Sequence, residues 1–114
     1  MNIEITGRHI EVTEALRDHA TGQFERLEQL FEGKPVSVHL ILEVERGRHR
    51  TEAVVKWRND VLAAFSDDPD MYHSIATTVG KIEKQARRLK DKIIDKSHKA
   101  TKASLIGNEN AATD

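Results

Sequence analysis

Val36-Ser37-Val38-His39-Leu40-Ile41-Leu42-Glu43-Val44-Glu45 decides the fold class. Val36, Val38, Leu40, Leu42 and Val44 point one way, and Ser37, His39, Glu43 and Glu45 point the other. A period of two marks a strand buried on one face only. The polar turn Arg46-Gly47-Arg48-His49 follows. Ala53, Val55 and Trp57 then alternate with Glu52, Val54 and Lys56 in a second strand. Asn59-Asp60 suits a tight hairpin turn, and Val61 to Ser66 returns as the third strand of a meander.

On the N-terminal side of this meander, Ile3 and Ile5 alternate with polar residues until Gly7. Thr13 is placed to cap a helix, and Glu14 in its first turn favours the helix dipole. Leu16, Ala20, Phe24, Leu27 and Phe31 recur at helical spacing, and Gly33 followed by Pro35 stops the helix. On the C-terminal side, Asp68 can cap a second helix, with Pro69 at its first position and Asp70 favouring the dipole. Tyr72, Ile75, Val79, Ile82, Ala86, Leu89 and Ile93 then form a narrow apolar seam. The order is β-α-β-β-β-α, an α+β fold. Its simplest architecture is a four-stranded sheet with both helices packed on one face. One domain is expected over 1–99, with a flexible tail over 100–114.

The 114 residues contain no cysteine, which excludes a disulfide scaffold, a thiolate metal site and a cysteine nucleophile. The N-terminus lacks the basic and apolar runs of a signal peptide, and no apolar run approaches a membrane span. A cytoplasmic protein with no membrane association is expected. The net charge of −1 hides an asymmetry. Residues 80–102 hold nine Lys/Arg against three acids, a charge of +6, and the remainder carries −7. Such segregation points to a polyanion partner for the basic segment, while the acidic remainder limits indiscriminate binding.

At about 100° per residue, Lys81, Lys84, Arg88, Lys92, Lys96 and Lys99 share an arc of about 120°, clear of the apolar seam. They form a ladder about 27 Å long at 1.5 Å per residue. Such a ladder can track phosphates and release their counterions. From pattern alone it serves equally well as a solvated helix face. Arg17 and Arg26 lie on the first helix and Arg8 in the loop before it. Arg26 extends the basic patch if the helices lie side by side.

The six histidines show no helical metal-pair spacing, although His39 and His49 stand near each other if their strands pair. No HExxH, GxSxG, P-loop or GxGxxG is present, so neither an enzyme site nor a metal or other cofactor is expected. Phe24, Phe31, Phe65 and Tyr72 sit in apolar patterns that suggest core, and Trp57 follows the buried face of its strand. Base stacking is therefore not the favoured mode. Recognition of RNA shape and backbone is. Two other classes remain in view: a general double-stranded RNA-binding module, and a module whose basic helix meets an acidic protein.

Ile5-Thr6-Gly7-Arg8, Glu11-Val12-Thr13-Glu14-Ala15-Leu16-Arg17, Leu27-Glu28, and Asp70-Met71-Tyr72 with Ile75 and the basic run after it follow one another in a specific order. In these segments the chain resembles the bacterial ribosome hibernation-promoting factors and ribosome-associated translation inhibitors, over about residues 1–98. The resemblance implies a fold similar to a double-stranded RNA-binding domain. It also implies binding to the small ribosomal subunit and its rRNA, in the channel of mRNA and tRNA, silencing translation in stationary phase or stress. It places the RNA contacts of the last helix on Lys84, Arg88 and Lys92, with Lys81 and Arg87 beside them. Arg26 keeps a family basic position on the first helix, with Arg8 before it, but Gln23 and Gln29 stand where relatives often have cations. The chain resembles the short forms, which lack a second dimerisation domain. Some of these favour ribosome dimers with help from a second small ribosome-dimerising protein, and others block dimerisation with their tail. The short, mildly acidic tail Ala103 to Asp114 assigns the chain to neither. The free protein is expected to be a monomer.

Overall fold

The computed structural model describes the backbone of residues 1–106 and the side chains of residues 1–92. The chain runs β1 (Asn2–Arg8), α1 (Glu14–Glu25), β2 (Val36–Glu45), β3 (Arg48–Trp57), β4 (Asp60–Asp68) and α2 (Met71–Ile106). The sheet order is β1-β2-β3-β4. β1 lies parallel to β2, which requires a crossover, and α1 supplies it. β2–β3 and β3–β4 are antiparallel hairpins. The expected α+β architecture is the observed one. Residues from both helices and from one sheet face share a single core. Within it, Val36, Val38, Leu40 and Leu42 of β2 meet Ala53, Val55 and Trp57 of β3 beneath Ile75, Val79, Ile82 and Ala86 of α2.

The first hairpin turn contains only Arg46 and Gly47, because Glu45 pairs with Arg48. Both residues have positive φ, 53° and 75°, as a two-residue type I′ turn demands. The second turn is Arg58-Asn59, one position earlier than Asn59-Asp60, because Trp57 pairs with Asp60. At the end of β1 the chain folds back over Gly7. A Cβ there would stand 2.5 Å from the Ile10 carbonyl oxygen and 2.9 Å from Val12 Cγ2. That close approach requires glycine and directs the chain into α1.

α1 begins as expected, with Thr13 Oγ1 accepting from Leu16 N at 3.2 Å. It ends at Glu25 rather than near Gly33. Beyond it, Leu27 N bonds Phe24 O at 2.9 Å and Glu28 N bonds Glu25 O at 3.1 Å, the tighter i to i+3 pattern. Tight winding brings every third residue into line. Phe24, Leu27 and Leu30 are accordingly all buried.

The start of α2 also differs from expectation. Asp70, not Asp68, caps it: its Oδ1 accepts from Tyr72 N at 3.3 Å, and its carbonyl accepts from Ser74 N at 2.9 Å. Asp68 instead accepts from Asp70 N at 2.9 Å and from the His73 ring. The His73 hydrogen bond, aided by the Asp70 amide, holds the Asp68 carboxyl below its usual range. The same bond holds the His73 imidazole above its ordinary value.

Candidate nucleic-acid interface

Two sets of contacts fix how α2 is rotated. On one side, the Gln85 amide pairs with the Ala63 backbone of β4, donating to O at 2.8 Å and accepting from N at 3.3 Å. Lys81 Nζ donates to Phe65 O at 2.8 Å. β4 is an edge strand, and these side chains occupy hydrogen-bonding positions that another strand would take. On the other side, Tyr72 meets the His19 ring of α1, centroids 5.0 Å apart, and Lys90 Nζ reaches Glu32 at 3.3 Å. β4 therefore flanks one side of α2, and α1 flanks the other.

Lys84, Arg88 and Lys92 fall within about 60° of Lys81 around the helix. All four are exposed. The structure thus brings them together in one row above the β4 edge. Among the described residues, none of Lys84, Arg88 and Lys92 takes an acidic partner. The Lys96 and Lys99 side chains lie outside the described residues, as does the 107–114 part of the tail expected over 100–114. The helix backbone continues from Lys99 to Ile106.

The remaining candidate cations are placed elsewhere. Arg87 turns about 120° from Lys81 and is engaged by Glu83 through Nε at 3.1 Å and Nη2 at 2.9 Å. Arg26 is exposed just beyond α1, across α2 from the row, and donates to Gln23 Oε1 at 3.1 Å. Arg8 is the last residue of β1 rather than a loop residue, and it pairs in register with Glu43. Ile3 and Ile5 face the helices, so Arg8 faces the open side of the sheet, three strands from β4. At about 4.8 Å per strand that is a separation of about 14 Å.

A second arginine group lies at the first hairpin, where Arg46, Arg48 and Arg50 line a depression of ≈ 230 Å³. Glu43, Glu45 and Asp67 line it too, so its charges balance. Among the described residues the α2 row has no such balance: Asp91, the acid nearest it around the helix, makes no ion pair with it.

Several side chains are not where the pattern suggested. His39 pairs with Val54 and His49 with Val44, five residues apart along β2 and on opposite sheet faces. Phe65 and Tyr72 are exposed, whereas Phe24, Phe31 and Trp57 are core. The α2 seam buries Met71 in place of Tyr72, and with it Ser74 and Thr78. Their hydroxyls are satisfied: Ser74 Oγ lies 2.9 Å from Thr51 Oγ1, and Thr78 Oγ1 lies 2.9 Å from Ser74 O. Among the described residues no His, Asp or Glu group is placed to hold a metal ion, and no helix is long and apolar enough to cross a membrane.

A four-stranded sheet carrying a helix with a row of exposed cations defines a small α+β domain with a positively charged helix face. The chain belongs to the sigma 54 modulation protein / S30EA ribosomal protein family, whose model matches residues 3–94. It is 37% identical over 93 residues to the ribosome hibernation promoting factor of Salmonella typhimurium, covering 82% of this chain and 97% of that one. Identity to the Escherichia coli factor of the same name is 34% over the same shares. Among solved structures, the N-terminal domain of Thermus thermophilus Protein Y superposes with a TM-score of 0.74 at 27% identity, covering 78% of this chain and 99% of that one. A ribosomal subunit interface protein from Coxiella burnetii shares the fold, with a TM-score of 0.74 at 23% identity, covering 80% and 99%.

Proposed function

We propose that this chain is a ribosome hibernation factor. It binds the small ribosomal subunit through rRNA, in the channel that mRNA and tRNA otherwise occupy, and silences translation in stationary phase or stress. It acts without catalysis, in the cytoplasm and as a monomer when free. A second small ribosome-dimerising protein is a candidate co-factor in assembly. The observation that carries the reading is the unbalanced row Lys81, Lys84, Arg88 and Lys92. Cations recurring about once per turn can follow a phosphate backbone, and each contact releases counterions. Arg87, Arg26 and Arg8 belong to a weaker periphery, since the first two are engaged by neighbours and Arg8 stands three strands, about 14 Å, from β4. The hibernation-factor relatives favour this reading over a general duplex-RNA module.

The test is a sucrose gradient of ribosomal subunits with added protein. The unaltered chain is expected to travel with small subunits and to compete with mRNA and initiator tRNA. The triple change Lys84→Glu, Arg88→Glu and Lys92→Glu is expected to abolish co-sedimentation while thermal stability stays within a few degrees. Undiminished binding by the triple variant, or equal affinity of the unaltered chain for arbitrary duplex RNA, contradicts the proposal.

A further inference from the structure

Phe65 is 52 % exposed, yet its ring is not loose on the surface. The Arg50 guanidinium carbon lies 4.3 Å from the ring centroid, and Lys81 Nζ lies 5.8 Å from it. Lys81 also donates to the carbonyl of Phe65 itself, at 2.8 Å. Arg50 is in turn steadied by Glu52 and Asp67, each 3.8 Å from its Nε. An aromatic ring is thus oriented by two cations, one of which begins the α2 row. Ala63, the next residue on the same face of β4, carries only a methyl group and leaves that flank open.

We infer that Phe65, with Arg50 and Lys81, is a stacking site for one unpaired base of the RNA that α2 meets. The inference rests on the reading of α2 as the RNA interface and adds a mode that backbone tracking does not include. A base offers a π-face to the ring, and its phosphate lies within reach of the lysines. Stacking on an exposed aromatic is worth enough per base to be measured by truncation. A paired base cannot offer its face, because neighbours in the duplex cover it. A single exposed apolar residue needs no special account, but one held between two cations, at the end of a phosphate-sized ladder, has the chemistry of a nucleotide site. An apolar protein surface fits less well, because docking it would desolvate Lys81, which has no acidic partner among the described residues, with no anion to meet it.

The experiment compares the full chain with Phe65→Leu, which keeps apolar bulk, and Phe65→Trp, which keeps a ring. The probes are a single-stranded oligoadenylate and inorganic polyphosphate, which has the charge without the bases. Phe65→Leu is expected to weaken oligoadenylate binding about tenfold and to leave polyphosphate binding within about twofold, as expected if it keeps the charge. Phe65→Trp is expected to retain both, with its fluorescence quenched by oligoadenylate alone. Equal oligoadenylate affinity for Phe65→Leu and the unaltered chain overturns the inference, as does equal loss of both probes or no oligoadenylate binding by the unaltered chain. The Lys84→Glu, Arg88→Glu, Lys92→Glu variant separates the two readings. If it loses polyphosphate while Phe65→Leu binds oligoadenylate normally, the stacking site alone has failed. If it retains polyphosphate, the reading of α2 has failed.

Discussion

α1 and α2 lie on the same face of one sheet and reach the same core, but they are built for different tasks. α1 is a crossover. It buries Leu16, Ala20 and Phe24, and its span carries Glu14, Asp18 and Glu25 against a single Arg17. α2 buries Met71, Ile75, Val79, Ile82 and Ala86, closes the β4 edge through Gln85 and Lys81, and from 81 to 92 carries six Lys/Arg against Glu83 and Asp91. Packing on a sheet constrains only one stripe of a helix. The opposite stripe is free to take any charge compatible with solubility, and here the two helices take opposite signs. The chain's near-zero net charge is therefore a cancellation between surfaces, and only one of those surfaces suits a polyanion.

Core truncation tests the structural half of this contrast and has the largest expected effect. Ile82→Ala removes a side chain that is fully buried in the centre of α2 and should destabilise by about 2–5 kcal/mol in urea unfolding. Leu16→Ala, at the partly open start of α1, should fall at or below the lower end of that range. A larger loss at Leu16 would reverse the ranking of the helices. Charge reversal at single positions sharpens the functional half. Arg88→Glu should weaken small-subunit binding by about tenfold, which is about 1.4 kcal/mol, and Arg26→Glu by clearly less. Filter binding at fixed salt decides it, and equal losses would place the two helices on one interface.

The caps give a smaller effect. Thr13→Ala and Asp70→Ala each remove a side-chain acceptor from a helix start and should each cost about 1 kcal/mol. The smallest effect is the pH dependence of the His73–Asp68 contact. His73 is raised, so its contribution is complete below its ordinary value of 6.5 and fades as pH rises through the raised one. Asp68 is lowered, so its contribution is complete above 3.8 and fades as pH falls through the lowered one. The contact therefore helps most between these limits. A His73→Asn variant should show a melting-temperature deficit near pH 5.5 that shrinks by pH 9. A deficit independent of pH would show that the pair does not titrate as described.

What the sequence displays depends on how strictly one face is specified. β2 alternates sharply, so its buried face is legible residue by residue. In β4, Val61-Leu62-Ala63-Ala64-Phe65 is apolar throughout, and no alternation reveals its phase. The register set by the turn turns Leu62 inward and Phe65 outward. Ser74 and Thr78 stand outside the apolar seam because a hydroxyl is polar, yet partners supplied by β3 and by α2 itself make their burial inexpensive. The tight turns after Glu25 leave no local mark either, since Leu27 fits both a three- and a four-residue spacing. The basic row was legible because it repeats every three or four residues. Its position above β4, and the separation of Arg26 and Arg8 from it, depend on which side of α2 each neighbour occupies, and that is a tertiary fact.

The central claim is that Lys84, Arg88 and Lys92 meet phosphates. Its most direct measurement is the dependence of small-subunit affinity on salt, plotted logarithmically, for the unaltered chain and the triple Glu variant at salt concentrations low enough to retain binding. Each phosphate contact contributes a slope of about −0.7 to −0.9. Removing three should therefore flatten the slope by about 2 to 3, together with the loss of affinity. An unchanged slope would mean that the row faces solvent, and that whatever binds the ribosome lies elsewhere on the molecule.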